Sequence, residues 1–139
     1  MDSLEREIVP DNWYMYAVYE SSEDNSILIE GVEEFLENWK DTMYGFISIS
    51  YDSREMVGLI SRPVGWLRYR EHYDSEWSHH SVNPDYNGPE DAMTQCYSPN
   101  AGYQKYPTSF AYPLLTLVQA LHYFAQSGER PSFVVWKEN

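Results

Sequence analysis

The chain has 139 residues, 42% hydrophobic and 17% aromatic. This suits a single domain spanning 1–139 whose folding removes about 68% of the unfolded surface from water. Nine Lys and Arg stand against 22 Asp and Glu, a formal net charge of −13. That balance argues against a protein that grips nucleic acid through its phosphates, which needs clustered cations. It argues equally against docking on an anionic membrane surface, and it favours a basic partner.

The excess is uneven. Residues 1–41 hold twelve acids and two bases, net −10, and residues 42–139 hold ten acids and seven bases, net −3. Aromatic content this high lets burial offset the entropy of ordering, so disorder is not expected. No apolar run approaches the roughly 20 residues of a membrane helix. The N-terminal MDSLEREIVP lacks the basic and apolar regions of a signal peptide. A lone Cys96 leaves no internal disulfide framework and fits a reducing, cytoplasmic setting.

Segment 12–20, NWYMYAVYE, alternates as a strand, and the polar run Ser21 to Ser26 reads as a loop. A first helix is expected over 31–40, because Val32, Phe35, Leu36 and Trp39 recur on one stripe. Glu34, Glu37 and Asp41 fall on its opposite side as an acidic ridge. Residues 44–51 and 56–60 read as strands joined by a four-residue hairpin loop, Asp52-Ser53-Arg54-Glu55. Strand 64–70, VGWLRYR, follows Pro63. Residues 71–91 read as loop, with a short strand around Trp77, and 92–98 as another strand. Residues 99–112 read as loop. Pro113 suits the first helical position. Leu114, Leu117, Val118, Leu121, Phe124 and Ala125 then share one face of a second helix over 114–127. Gly128 and Pro131 stop that helix, and residues 132–137 form a last strand. The class is α+β: an antiparallel sheet of about six strands with two amphipathic helices packed on one face.

Chemical motifs are sparse. His79 and His80, with Asp74 and Glu76 nearby, are the best metal candidates, yet adjacent strand residues point to opposite faces and the spacing matches no ligand motif. Cys96 reads as a half-buried strand thiol rather than a nucleophile. With one cysteine the zinc-deaminase signature is impossible. No nucleophile elbow or phosphate-cradling glycine loop is present. No cofactor, metal or catalytic residue is therefore assigned, and the chain reads as a non-enzyme. Tyr73, Trp77, Tyr86, Tyr97, Tyr103 and Tyr106 lie in or near the long loops, where Tyr and Trp serve recognition.

The C-terminal third resembles the first of the immunity-protein families attached to bacterial polymorphic toxin systems. The residues carrying the resemblance are Pro113, Ala120-Leu121, Phe124, Gly128-Glu129-Arg130-Pro131 and Val135-Trp136-Lys137-Glu138, with Gly65-Trp66-Leu67 upstream. The chain departs from that family at Lys137 and at the apolar Leu114-Leu115. The resemblance implies a non-enzymatic inhibitor that binds a cognate bacterial toxin domain, a deaminase or nuclease acting on nucleic acid. It would block the toxin's active site or substrate groove. The expected partner is a toxin domain with a basic surface, not nucleic acid or membrane, and the chain is expected to be a monomer or a weak dimer. The expected contact surface is the ridge Glu34, Glu37 and Asp41 with Asp52 and Glu55, then the loop residues Asp74, Glu76, Trp77 and Tyr86. The alternative reading is a ligand- or glycan-binding module that uses the aromatic loops.

Overall fold

The computed structural model describes residues 43–72, 74–98 and 101–139, together with the backbone of 13–19 and 22–27. The strands are β1 Trp13–Tyr19, β2 Ser22–Ile27, β3 Tyr44–Tyr51, β4 Arg54–Ser61, β5 Val64–Arg70, β6 His79–Val82, β7 Met93–Ser98, β8 Gly102–Pro107, β9 Tyr112–Pro113 and β10 Val135–Glu138. A 3-10 turn covers Thr108–Phe110, and helix α1 covers Leu114–Ser127.

The main sheet runs β10-β6-β5-β4-β3-β1-β2, and β9 adds an eighth strand beside β5. Every pairing is antiparallel. The architecture is α+β, with eight strands in the main sheet rather than about six. Only one α-helix falls among the described residues. The helix expected over 31–40, with Glu34, Glu37 and Asp41, lies outside them.

Alternation along the central strands separates two cores. Ile47 and Ile49 of β3, Met56 and Ile60 of β4, and Leu67 and Tyr69 of β5 face α1. They meet its Leu117, Ala120, Leu121, Phe124 and Ala125. Burial of each large apolar side chain contributes about 1.5–3 kcal/mol. The opposite residues, Val57 and Leu59 of β4 and Trp66 of β5, form a second core with Cys96 and Ala111. The β7–β8 pair covers this second face as a separate two-stranded sheet. The expectation that helices cover one face therefore describes half of the arrangement. β4 already carries the reason, because Met56 to Ser61 are buried without interruption. An unbroken apolar run is what a strand covered on both faces requires.

Three expectations for loops are corrected. The polar run Ser22–Ile27 is a strand, β2, paired with β1 at the edge of the sheet. An edge strand is stabilised by backbone hydrogen bonds on one side, and charged residues there block further pairing. Residues 99–112 contain β8, the 3-10 turn and β9. Gly102 opens β8 and Pro107 closes it, so these residues mark the ends of a short element rather than one long loop. The loop from β3 to β4 has two residues, not four: Tyr51 pairs with Arg54, and Asp52 adopts φ 56°. Aspartate tolerates that left-handed conformation better than bulkier residues. The strand expected around Trp77 begins two residues later, at His79.

Helix α1 matches its expected span, with Pro113 just before the first turn rather than in it. Gly128 ends the helix at φ 74°, and its N–H donates to the Phe124 carbonyl at 2.7 Å. A Cβ on Gly128 would stand 2.8 Å from the Tyr51 ring. Among the described residues no helix is long and apolar enough to cross a membrane.

Gly65 sets how closely β5 approaches the helix. A Cβ there would stand 2.7 Å from Leu117 Cδ2 and 2.9 Å from the Leu59 carbonyl oxygen. The leucine can turn aside, but the backbone oxygen cannot. Gly65→Ala is expected to destabilise the fold by about 1–3 kcal/mol, read as a lower urea midpoint at unchanged m-value.

Candidate functional site

Two neighbouring regions on the β7–β8 side carry the polar and aromatic groups of interest. The first is the end of the sheet where the β3–β4 turn meets the loop after β5. Ser53 Oγ donates to the Glu71 carbonyl at 3.1 Å, which ties the turn to that loop. Arg70 links the same two segments. Its Nε donates to Glu55 Oε1 at 2.8 Å, and its Nη1 donates to the Ser75 carbonyl at 2.7 Å. Ser48 Oγ donates to the other oxygen of Glu55. Glu55 is thus a half-buried ion-pair partner and a structural anchor. Asp52, Glu71, Asp74 and Glu76 are exposed at this end.

Trp77 lies at the same end, with two guanidinium groups against its ring. The Arg70 Cζ is 4.2 Å and the Arg68 Cζ 4.7 Å from the Trp77 ring centroid. Arg68 also hydrogen-bonds the Tyr106 hydroxyl from β8. On the other side of the sheet Arg130 lies over the Tyr69 and Trp136 rings, and Arg54 lies over Tyr51. Four arginines are therefore laid against aromatic faces, a contact worth about 0.5–2 kcal/mol each.

The structure brings Asp52, Glu55, Asp74, Glu76 and Trp77 to one end of the sheet, and it separates Tyr86 from them. Tyr86 sits in the loop after β6, at the opposite end of β5 and β6. Its hydroxyl donates to the Pro89 carbonyl at 2.7 Å, and its ring packs on Gly88. The loop 71–91 is interrupted by β6, which sends its two halves to opposite ends.

The second region is a pocket of about 260 Å³ where β6 parts from β5. β5 pairs with β6 only at Arg68 and Tyr69, and with β9 at Val64 and Gly65. Between these contacts Ser81 Oγ stands in for the ladder: it accepts from the Leu67 N–H and donates to the Phe110 carbonyl, each at 3.1 Å. Trp66, Trp77, Tyr106 and Phe110 supply apolar lining, and Arg68 and His80 border it. Of these, Trp66 and Arg68 come from the expected strand 64–70, while Trp77, His80, Tyr106 and Phe110 fall in the stretches 71–91 and 99–112 that sequence reading assigns mainly to loop. Their signal is the order Trp66, Arg68, Arg70, which places two cations beside an aromatic on one strand face.

His79 and His80 do face opposite ways. His79 meets Tyr69 at 6.1 Å between ring centroids, whereas His80 lies 4.7 Å from Phe110 on the other face. Burial and then Arg130 lower the His79 pKa. Among the described residues no three His, Cys, Asp or Glu side chains gather as a metal set. Cys96 is fully buried rather than half-buried. Burial pushes its thiol up to about 11, so it is protonated at neutral pH. Comparison with protein-family models and with curated proteins finds no match.

Glu55 and Asp74 are expected to differ sharply on truncation. Glu55→Ala strands Arg70 and Ser48 in a half-buried site and should cost about 1–3 kcal/mol. Asp74→Ala, at a solvated loop, should stay within about 0.5 kcal/mol, both read by urea unfolding. Tyr69 gives a pH test. Burial, and then its hydrogen bond to Glu71, raise its phenol from 10.0 to about 12. The unfolded chain therefore loses this proton first as pH rises. Tyr69 adds stability below pH 10 that is lost between 10 and about 12. Tyr69→Phe should fall less steeply over that window in a series of melting temperatures.

Proposed function

We propose that this chain is an immunity-type protein, a non-enzymatic inhibitor that binds a basic toxin domain and covers its active site or substrate groove. The observation that carries the reading is the arrangement of charge at the β3–β4 end. Asp52, Glu71, Asp74 and Glu76 are exposed there, while Arg68 and Arg70 are held against Trp77 and Arg70 is also paired with Glu55. Exposed carboxylates outnumber exposed Arg and Lys at this end, where Arg54 lies over the Tyr51 ring. A toxin that acts on nucleic acid needs a cationic face for phosphates, and an acidic surface is steered to that face and occupies it. On sequence grounds alone, Glu34, Glu37 and Asp41 belong to the same proposal.

The test is the double variant Asp74→Lys, Glu76→Lys with the toxin domain encoded beside this chain, followed by stopped-flow kinetics at 50 and about 300 mM salt. The association rate should fall about tenfold or more at low salt, with the difference shrinking at high salt and the dissociation rate little changed. An unchanged association rate with an unchanged salt slope overturns this surface. No binding by the unaltered chain overturns the inhibitor reading.

A further inference from the structure

We infer that the pocket between β5, β6 and β8 is a binding site for a single aromatic ring bearing one hydrogen-bond donor, a phenol-type group. The inference does not rest on the inhibitor reading, since it concerns a cavity rather than the charged end of the sheet.

The volume and lining set the body of the ligand. At about 260 Å³ the pocket is slightly below the usual ligand range of about 300–1,000 Å³, which suits one ring. Trp66, Trp77, Tyr106 and Phe110 offer it aromatic surface. Stacked and edge-on ring contacts favour a flat ligand over an aliphatic one.

The hydrogen-bond network sets the polar end. The Asn139 side-chain N–H donates to the Trp77 carbonyl at 2.8 Å. This fixes the amide's orientation, so its oxygen is the atom facing His80 Nδ1. A carboxamide oxygen only accepts, so Nδ1 carries the proton. In the neutral ring Nε2 is then a bare acceptor. It is buried and meets no hydrogen-bond partner. Buried acceptors of this kind are rare in folded proteins. His80 lines the pocket, so this acceptor belongs to a residue that a bound ligand meets. The ligand must therefore present an O–H or N–H. Arg68 has N–H groups left beyond its bond to Tyr106, and these suit the oxygen of the same hydroxyl.

The inventory also disfavours a sugar. The Trp66 indole N–H donates to the Pro107 carbonyl at 2.9 Å, and Ser81 and Asn139 are likewise engaged. A ring with a hydroxyl on most carbons would leave several without partners in an apolar pocket.

The test uses p-cresol as probe and toluene as the same ring without the donor, followed by NMR of the backbone, the indole N–H groups and the His80 ring nitrogens. p-Cresol should saturate with shifts at Trp66, Trp77 and His80 Nε2, and bind about three- to tenfold more tightly than toluene. His80→Phe keeps the ring on Phe110 and should reduce p-cresol to the affinity of toluene. If that variant does not fold, the Nε2 shift of the unaltered protein decides alone. The same chemistry is found in a free phenol and in a tyrosine side chain. N-acetyltyrosinamide run in parallel tells them apart: binding of both assigns a tyrosine, and binding of p-cresol alone a free molecule. Equal affinity for p-cresol and toluene, an unmoved His80 Nε2 at saturation, or no saturable binding by either ring overturns the site.

Discussion

The three central strands are buried on both faces, and the placement of nearly every other described group follows from that. Ile47, Met56 and Leu67 lie under α1, while Val57, Leu59 and Trp66 lie under the β7–β8 pair. A sheet covered twice has no solvated face on which to place charge. Ionisable side chains on these strands must pair, lie against rings, or move to the ends. Glu55 does the first with Arg70, and Arg68 does the second with Trp77 and Tyr106. Asp52 sits in the β3–β4 turn, and Glu71, Asp74 and Glu76 lie in the loop beyond the end of β5.

The same constraint explains the pocket. A layer two strands wide cannot cover a sheet of eight. Where β6 diverges from β5, the covering layer consists of β8 and the 3-10 turn. The seam is closed by single polar atoms rather than by a ladder: Ser81 Oγ of β6 accepts from the Leu67 N–H of β5, and Tyr112 Oη of β9 donates to the Val82 carbonyl of β6. The open volume lies along this seam, lined by Trp66, Trp77, Tyr106 and Phe110.

What the sequence discloses follows local periodicity. Helix α1 is legible because its apolar stripe, its glycine stop and the following proline agree. The strands β3 to β5 are legible through alternation. The edge strand β2 is not, because backbone pairing at an edge tolerates a run such as Ser22 to Ser26 that has no apolar face. The second covering layer is hidden for a related reason. In β8 the inward residues are Gln104 and Tyr106 and the outward ones Tyr103 and Lys105, so polarity does not distinguish the two faces. Trp77 can be singled out as a recognition residue from its place in a polar loop. Its partners Arg68 and Arg70 lie 9 and 7 residues away on β5, and Tyr106, which shares Arg68 with it, comes from the second sheet.

Trp77 also joins the two regions that matter here. One of its neighbours, Arg70, reaches outward to Glu55 and the Ser75 carbonyl, and the other, Arg68, reaches inward to Tyr106 and the pocket. Each guanidinium is planar and keeps its charge at any ordinary pH. Two of the chain's nine cationic side chains are therefore fixed close to the sheet, not extended toward solvent on flexible stems. Arg70 bonds the Ser75 carbonyl, between Asp74 and Glu76, and is itself paired with Glu55 at 2.5 Å, so the charge it brings to these two carboxylates is already balanced. The ring contacts that hold Arg68 and Arg70 against Trp77 also build the wall of the pocket, so the charged end and the cavity share one structural element.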